Sequence, residues 1–398
     1  GLIVGGYLWY LDAPLREAST LLQSNQPEQA LETLDAWKSP RAESSAAQAL
    51  RARCLVRTGR ASAAFRIFSE VGAATTDELH DWATACLHLQ RWAEALPLLL
   101  SIHEDRPDDV DVIHELAACN ARLGELNTAL AYAQEYTEKS DFRQRGLLLS
   151  GMILRQLDRK SEAAEHWEQL LQAGAELKEL QVTPAEFLLQ YGTLKLELGN
   201  PQRAAELFRS SLDDKETAEG RYQLGKAEEQ LGHMDLAEAN WRRTIELETD
   251  HAAARESLAR IELSRSNTDA ARSLLQPILE QPDLTSSAAY LMERVFAIEG
   301  NAEQAAVWKK RTESLRKHEL IRSTMNQLLQ DDGESYWAQV VRCFQFAEAG
   351  NWRQAEISLE SLPRAADEDP FVMQLRKAIP SRQRQSLPSI DGFPVQLL

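Results

Sequence analysis

Residues 187–248 read FLLQYGTLKLELGNPQRAAELFRSSLDDKETAEGRYQLGKAEEQLGHMDLAEANWRRTIELE and carry one pattern twice. In the first copy Gly192 lies seven residues before Gly199, with Ala204 five and Phe208 nine residues after it. Gly225, Gly232, Ala237 and Trp241 repeat those spacings in the second. This spacing predicts a helix, a tight turn at the Gly, and a second helix. The small residue before the turn and the Ala after it face each other where the helices cross, so the axes approach to about 8–10 Å. A larger side chain there overpacks the contact, at about 1–3 kcal/mol.

Outward from this stretch the pattern recurs ten times, with the turn residue at Asn25, Gly59, Gln90, Gly124, Asp158, Gly199, Gly232, Ser266, Gly300 and Gly350. The intervals are 34, 31, 34, 34, 41, 33, 34, 34 and 50 residues. Five residues after every turn stands an Ala, from Ala30 to Ala355. Nine residues after it comes a large apolar residue in most copies, including Leu34, Phe68, Leu99, Trp167, Leu275 and Leu359; Ala133 and Lys309 depart. Seven residues before it the side chain is small from Ala52 to Cys343, with Glu293 as the exception.

These residues resemble the tetratricopeptide repeat, a 34-residue helix-turn-helix family with a W-x-x-L-G-x-x-Y, A-x-x-x-F and P pattern. Gly192, Gly199, Ala204 and Phe208 carry the resemblance, as do Leu224, Gly225, Gly232, Ala237, Trp241 and the run Arg91 to Leu96. It spans Asp12 to Leu362; the closing Pro occurs only as Pro107. The resemblance implies an all-α fold, an α-solenoid of about ten repeats wound into a right-handed superhelix. It also implies that the first helices line a concave face on which partner peptides or helices lie.

The expected organisation is nine repeats over 12–308, a charged spacer helix over 309–335, a tenth repeat over 336–370, and a capping helix with a Pro-containing tail over 371–398. The long interval before Gly199 adds residues around Gly174 to Thr183, which lengthen a second helix or its loop. Leu315, Ile321, Met325, Leu328 and Leu329 give the spacer its helical spacing. Asp369-Pro370 marks the start of the capping helix.

Gly1 to Leu11, GLIVGGYLWYL, carries no charge and clusters Tyr7, Trp9 and Tyr10 as at a membrane interface. Eleven residues fall short of the roughly 20 that span a bilayer, so the segment reads as the remnant of a transmembrane or signal-anchor helix. The alternatives are a first helix packed on the first repeat, or the remnant of a cleaved signal peptide. On the anchored reading the chain is held at the membrane by its N-terminus, and the acidic Asp12 with no basic residue before Arg16 places the repeats in the periplasm or otherwise outside the cytoplasm.

The formal charge of -17, from 61 acidic and 44 basic residues, repels a nucleic-acid backbone and argues against that partner. Cys54, Cys86, Cys119 and Cys343 form no C-x-x-C pair and read as buried apolar residues. The histidines show no metal-ligand spacing; His80 and His88 on one helix are about 12 Å apart. With no phosphate loop, dinucleotide fingerprint or nucleophile elbow, the reading is a protein that is not an enzyme, with no catalytic residue, no metal and no cofactor.

Six residues before each turn runs a row of side chains on the first helices: Ser19, Arg53, Thr84, Ala118, Met152, Thr193, Lys226, Arg260, Arg294 and Phe344. Lys226, Arg260 and Arg294 are a basic run over three adjacent repeats, with Tyr222 and Tyr290 one turn earlier. On an acidic chain these five residues form a candidate groove for an acidic or carboxylate-bearing segment; against this, the cations pair with Glu229 and Glu256. The function expected is a scaffold or adaptor binding protein or peptide partners. Its rivals are a recruiting arm for a catalytic domain beyond residue 398, and self-assembly through the separated tenth repeat.

Overall fold

The computed structural model describes residues 12–173, 180, 182–281, 284–331, 333, 335–363 and 369–394. The described residues form α-helices with short 3-10 turns and no strand. They divide into two compact units, Gly1–Lys215 and Glu216–Leu398.

The first unit holds six helical hairpins. They are α1 (Ala13–Gln23) with α2 (Pro27–Ala36), α3 (Ser45–Arg57) with α4 (Ala61–Val71), and α5 (Thr76–His88) with α6 (Trp92–Asp105). Then come α7 (Val110–Leu123) with α8 (Leu126–Lys139), α9 (Arg143–Gln156) with α10 (Lys160–Gln172), and α11 (Pro184–Glu197) with α12 (Pro201–Asp214). The second unit pairs α13 (Ala218–Gln230) with α14 (Met234–Leu247) and α15 (Ala252–Ser264) with α16 (Thr268–Leu275). It continues with α17 (Ser286–Ile298) and α18 (Ala302–Asp331), then α19 (Tyr336–Glu348) and α20 (Trp352–Ser361), and closes with α21 (Pro370–Ser381).

Every hairpin turns in the same way. All ten turn residues take positive φ, from 57° at Asn25 to 86° at Gly124, and Gln90, Asp158 and Ser266 do so at 58° without being Gly. In each, the N–H of the residue after the turn bonds to the carbonyl four residues before it, as from Arg60 to Leu55 and from His233 to Glu228, at 2.8–2.9 Å. This left-handed cap satisfies carbonyls that the end of a helix leaves orphaned.

Packing at the crossing is matched in size in most hairpins. A Cβ on Gly151 would lie 2.2 Å from the Trp167 ring, one on Gly192 2.5 Å from Phe208, and one on Gly225 2.4 Å from Trp241. The glycine therefore admits the aromatic, and each indole lies close enough to donate to a backbone carbonyl of the facing helix: Trp167 to Leu148 and Trp241 to Tyr222, both at 3.3 Å. Where the second helix carries Leu99 or Leu275, the first carries Ala83 or Ala259, and all four are fully buried. Ala18 holds the same place in the first hairpin, also fully buried. The four cysteines are buried and unpaired, and burial pushes each thiol up to about 11.

Two expectations change. The ninth hairpin has no separate spacer after residue 308, because α18 is one helix of 30 residues, about 45 Å long. Trp308 and Leu315 pack it on the ninth hairpin, while Ile321 and Met325 pack it on the tenth. Glu293 and Lys309 stand where other hairpins hold a small and a large apolar residue, and Ala305 is half-buried whereas its nine counterparts are fully buried. The linker composition after Pro380 does not give a loose tail: Pro388 and Phe393 are buried.

Membrane anchoring is corrected. Among the described residues no helix is long and apolar enough to cross a membrane, and Gly1–Leu11, on which that expectation rested, lies outside the described residues. The expected lengthening around Gly174 to Thr183 falls between α10 and α11, with 174–179 and 181 likewise outside the described residues.

Gly225→Ala drives a methyl into the Trp241 ring, with an expected loss of about 1–3 kcal/mol. Ser266→Gly relieves a left-handed φ and gains about 0.5 kcal/mol. Urea-unfolding midpoints of the two variants move in opposite directions if crossing and turn carry these separate constraints.

Candidate functional site

The helices α13, α15 and α17 begin at equivalent positions, and each is capped by a side chain. The N–H of Gly220 donates to Thr217 Oγ1 at 3.1 Å, that of Ala254 to His251 Nδ1 at 3.2 Å, and that of Ala288 to Thr285 Oγ1 at 3.0 Å. The cap residues are 34 apart, so Lys226, Arg260 and Arg294 occupy one register position on successive first helices.

Their surroundings differ. Lys226 Nζ stands 5.7 Å from the centroid of the half-buried Tyr222 ring, in cation–π geometry. Arg260 is exposed and lies 3.5 Å from Glu229 Oε1. Arg294 is half-buried and has no ion-pair partner among the described residues. Glu256, the other acid considered as a partner, accepts from Thr285 Oγ1 at 2.7 Å. Tyr290 is 41% exposed, and Arg316 of α18 reaches its ring at 5.5 Å.

Two members of this surface escaped the sequence reading. The His251 ring lies 4.9 Å from that of Tyr222, and its Nε2 is 3.7 Å from Glu219 Oε2. Its signal was positional, since it fills the capping place that Thr217 and Thr285 hold in the neighbouring hairpins. Arg316 carried none, because it reaches Tyr290 from the extension of α18. The nearby Glu219 carboxylate raises the His251 pKa above its usual value, and His251 in turn lowers that of Glu219. Burial raises the Tyr222 pKa. The result is a face with two aromatic rings, four cations and interspersed carboxylates, suited to reading charge and aromatic contact along an extended segment.

In the first unit the one cation of this row, Arg53, is held by an acid of the next first helix. Arg53 Nε donates to the buried Asp81 at 2.7 Å, and Arg57 Nε lies 3.4 Å from the same carboxylate. His80 and Glu115 stand 3.3 Å apart, which raises the His80 pKa. Among the described residues no group of three His, Cys, Asp or Glu could hold a metal ion.

Residues 222–285, covering the Tyr222–Lys226–Arg260 part of this surface, match the family model of the tetratricopeptide repeat. No curated protein matches the chain. Among solved structures it is similar to a tetratricopeptide repeat protein of Parabacteroides merdae, at 18% identity over 60% of this chain and 93% of that one, with a TM-score of 0.44. It is also similar to YrrB, a TPR protein with an unusual peptide-binding site, at 19% identity over 53% and 97%, TM-score 0.40. PilW, a type IV pilus biogenesis factor, is similar at 19% identity over 58% and 97%, TM-score 0.39.

A pH dependence follows from the Glu219–His251 contact. Because the His251 pKa is raised on folding, the attraction of its protonated ring to Glu219 is fully present below the unfolded value of about 6.5 and is lost as pH rises through the folded value, whereas the cap on Nδ1, which needs an unprotonated nitrogen, runs the other way. Glu219 is half exposed, so the contribution is small, about 0.5 kcal/mol. Melting curves between pH 5.5 and 8.5 should show the parent above Glu219→Gln at the acid end, with the gap closing at the alkaline end.

Proposed function

We propose that this tetratricopeptide repeat protein is a non-enzymatic scaffold that binds protein or peptide partners along the first helices of its second unit, with acidic segments as the favoured class. The observation that carries this reading is Arg294: a half-buried arginine without an ion-pair partner among the described residues, set 34 residues beyond Arg260. A guanidinium presents a planar fork of donors that matches a carboxylate bidentately. An incoming carboxylate supplies that partner. Tyr222 and Tyr290, one turn earlier, give the flanking chain aromatic contact.

The division of charge along the row supports the same reading. Arg53 is held by Asp81, whereas Lys226 leans on an aromatic ring and Arg260 makes one longer contact to an acid. Cations held this loosely exchange partners at little cost, because exposed pairs are worth about 0.2–1 kcal/mol.

Charge reversal tests it. With a fluorescent Glu-rich peptide as probe, Lys226→Glu, Arg260→Glu and Arg294→Glu together should weaken binding at least about tenfold, and affinity for the parent should fall as salt rises. Unchanged affinity in the triple variant, with helicity intact by circular dichroism, rules this surface out.

A further inference from the structure

After α21 the chain reverses at Arg382, which takes a left-handed φ of 53°, and the following residues return along the same helix. Gln374 Nε2 donates to the carbonyls of Ser386 and Leu387, each at 3.4 Å. Asp391 then reaches α18, its carboxylate 2.9 Å from Lys317 Nζ and 3.0 Å from His318 Nε2. Phe393 ends the run, 4% exposed, edge-on to Trp337 at 5.7 Å and to Phe371 at 5.4 Å.

Between these anchors Leu387, Pro388 and Ile390 lie beside Phe344. Phe344 is the tenth hairpin's member of the row six residues before each turn. In that row Arg260 and Met152 are exposed, whereas Phe344 is buried. The cover is incomplete: a cavity of about 220 Å³ remains, bordered by Arg322, Phe344, Glu348 and the three apolar residues of the returning segment.

The way the segment is held differs from the way the helices are. Among the described residues its backbone N–H groups that bond do so locally, as Ser386 to Gln383, Leu387 to Arg384, Gly392 to Ser389 and Phe393 to Ile390. Its grip on the helices comes from the aromatic plug, the carboxylate clip on two surface cations, and one glutamine. A segment folded into short 3-10 turns and fixed by apolar pockets and a charge, with no shared backbone ladder, is held through its side chains, as a peptide ligand can be held.

We propose that the Phe344 face of the last hairpin is a binding site for a turned segment of the form Leu-Pro-x-Ile-Asp-Gly-Phe. Residues 387–393 occupy it in cis, and a partner segment of the same chemistry takes it in trans. The apolar triad sits over Phe344, the acid engages Lys317 and His318, and the aromatic enters the Trp337–Phe371 slot. The site is separate from the cationic row of Lys226, Arg260 and Arg294 and does not rest on it.

The probe is a fluorescein-labelled peptide with the sequence of residues 384–394. On the parent it competes with a tethered occupant at an effective concentration on the order of millimolar, so binding is weak. In the full chain carrying Asp391→Lys and Phe393→Ala the occupant is released, and the peptide should bind at least about tenfold tighter. Adding Phe344→Glu should abolish that gain. Equal affinity for parent and released variant, or no binding to a released variant whose circular dichroism matches the parent, overturns the proposal. Mass doubling of the released variant in light scattering would assign the site to a second copy instead and also overturns it. Should the double variant lose helicity, Asp391→Lys alone decides: it changes only an exposed clip, and tighter peptide binding than to the parent is required.

Discussion

The contact on which everything else rests is the crossing of two helices at one small residue. Gly151, Gly192 and Gly225 have no room for a β-carbon because an aromatic ring from the second helix already fills it. That ring would otherwise leave an indole N–H buried without a partner, so closeness also answers a polar requirement, with Trp167 and Trp241 each donating to a carbonyl beside the glycine. The left-handed turn then acts as the second half of the constraint, because it returns the chain at the angle that brings the fifth residue after it, an Ala, against the first helix. Repeating two local rules builds a long core without long-range pairing, and each hairpin depends on its neighbours alone.

This locality explains what could be read before any coordinates. The turn, the small residue and the large one lie within sixteen positions of each other, so their spacing survives even where Gln90, Asp158 or Ser266 replaces Gly. The cationic row was legible for the same reason, since it is a fixed offset from the turn. What could not be read depends on contacts that skip the period. His251 contributes as a cap as well as a ring, Arg316 arrives from an extension that no other hairpin has, and Phe393 meets Trp337 across 56 residues of sequence. The apolar residues at 387, 388, 390 and 393 follow neither a helical nor a strand period, which made a packed segment look like a linker.

The two units hold the cations of their first helices differently. In the first, a buried carboxylate at Asp81 ties Arg53 and Arg57 together; such a cluster favours one geometry and resists competition from outside, because removing either partner strands a charge. In the second, Lys226 leans on a ring, exposed Arg260 makes one longer contact to Glu229, and Arg294 has no ion-pair partner among the described residues. The placement of a few carboxylates thus decides how firmly the cations of each unit are held.

The unbroken length of α18 sets an angle as well as a distance. Trp308 and Thr312 mark the stripe it turns toward the ninth hairpin, and Ile321 and Met325 the stripe it turns toward the tenth. At about 100° per residue these stripes are roughly 120–140° apart around the axis and some 20 Å apart along it. The helix therefore works as a shaft shared by two hairpins, with one stripe committed to each. A single residue gained or lost in the shaft would swing one relative to the other by more than a quarter turn.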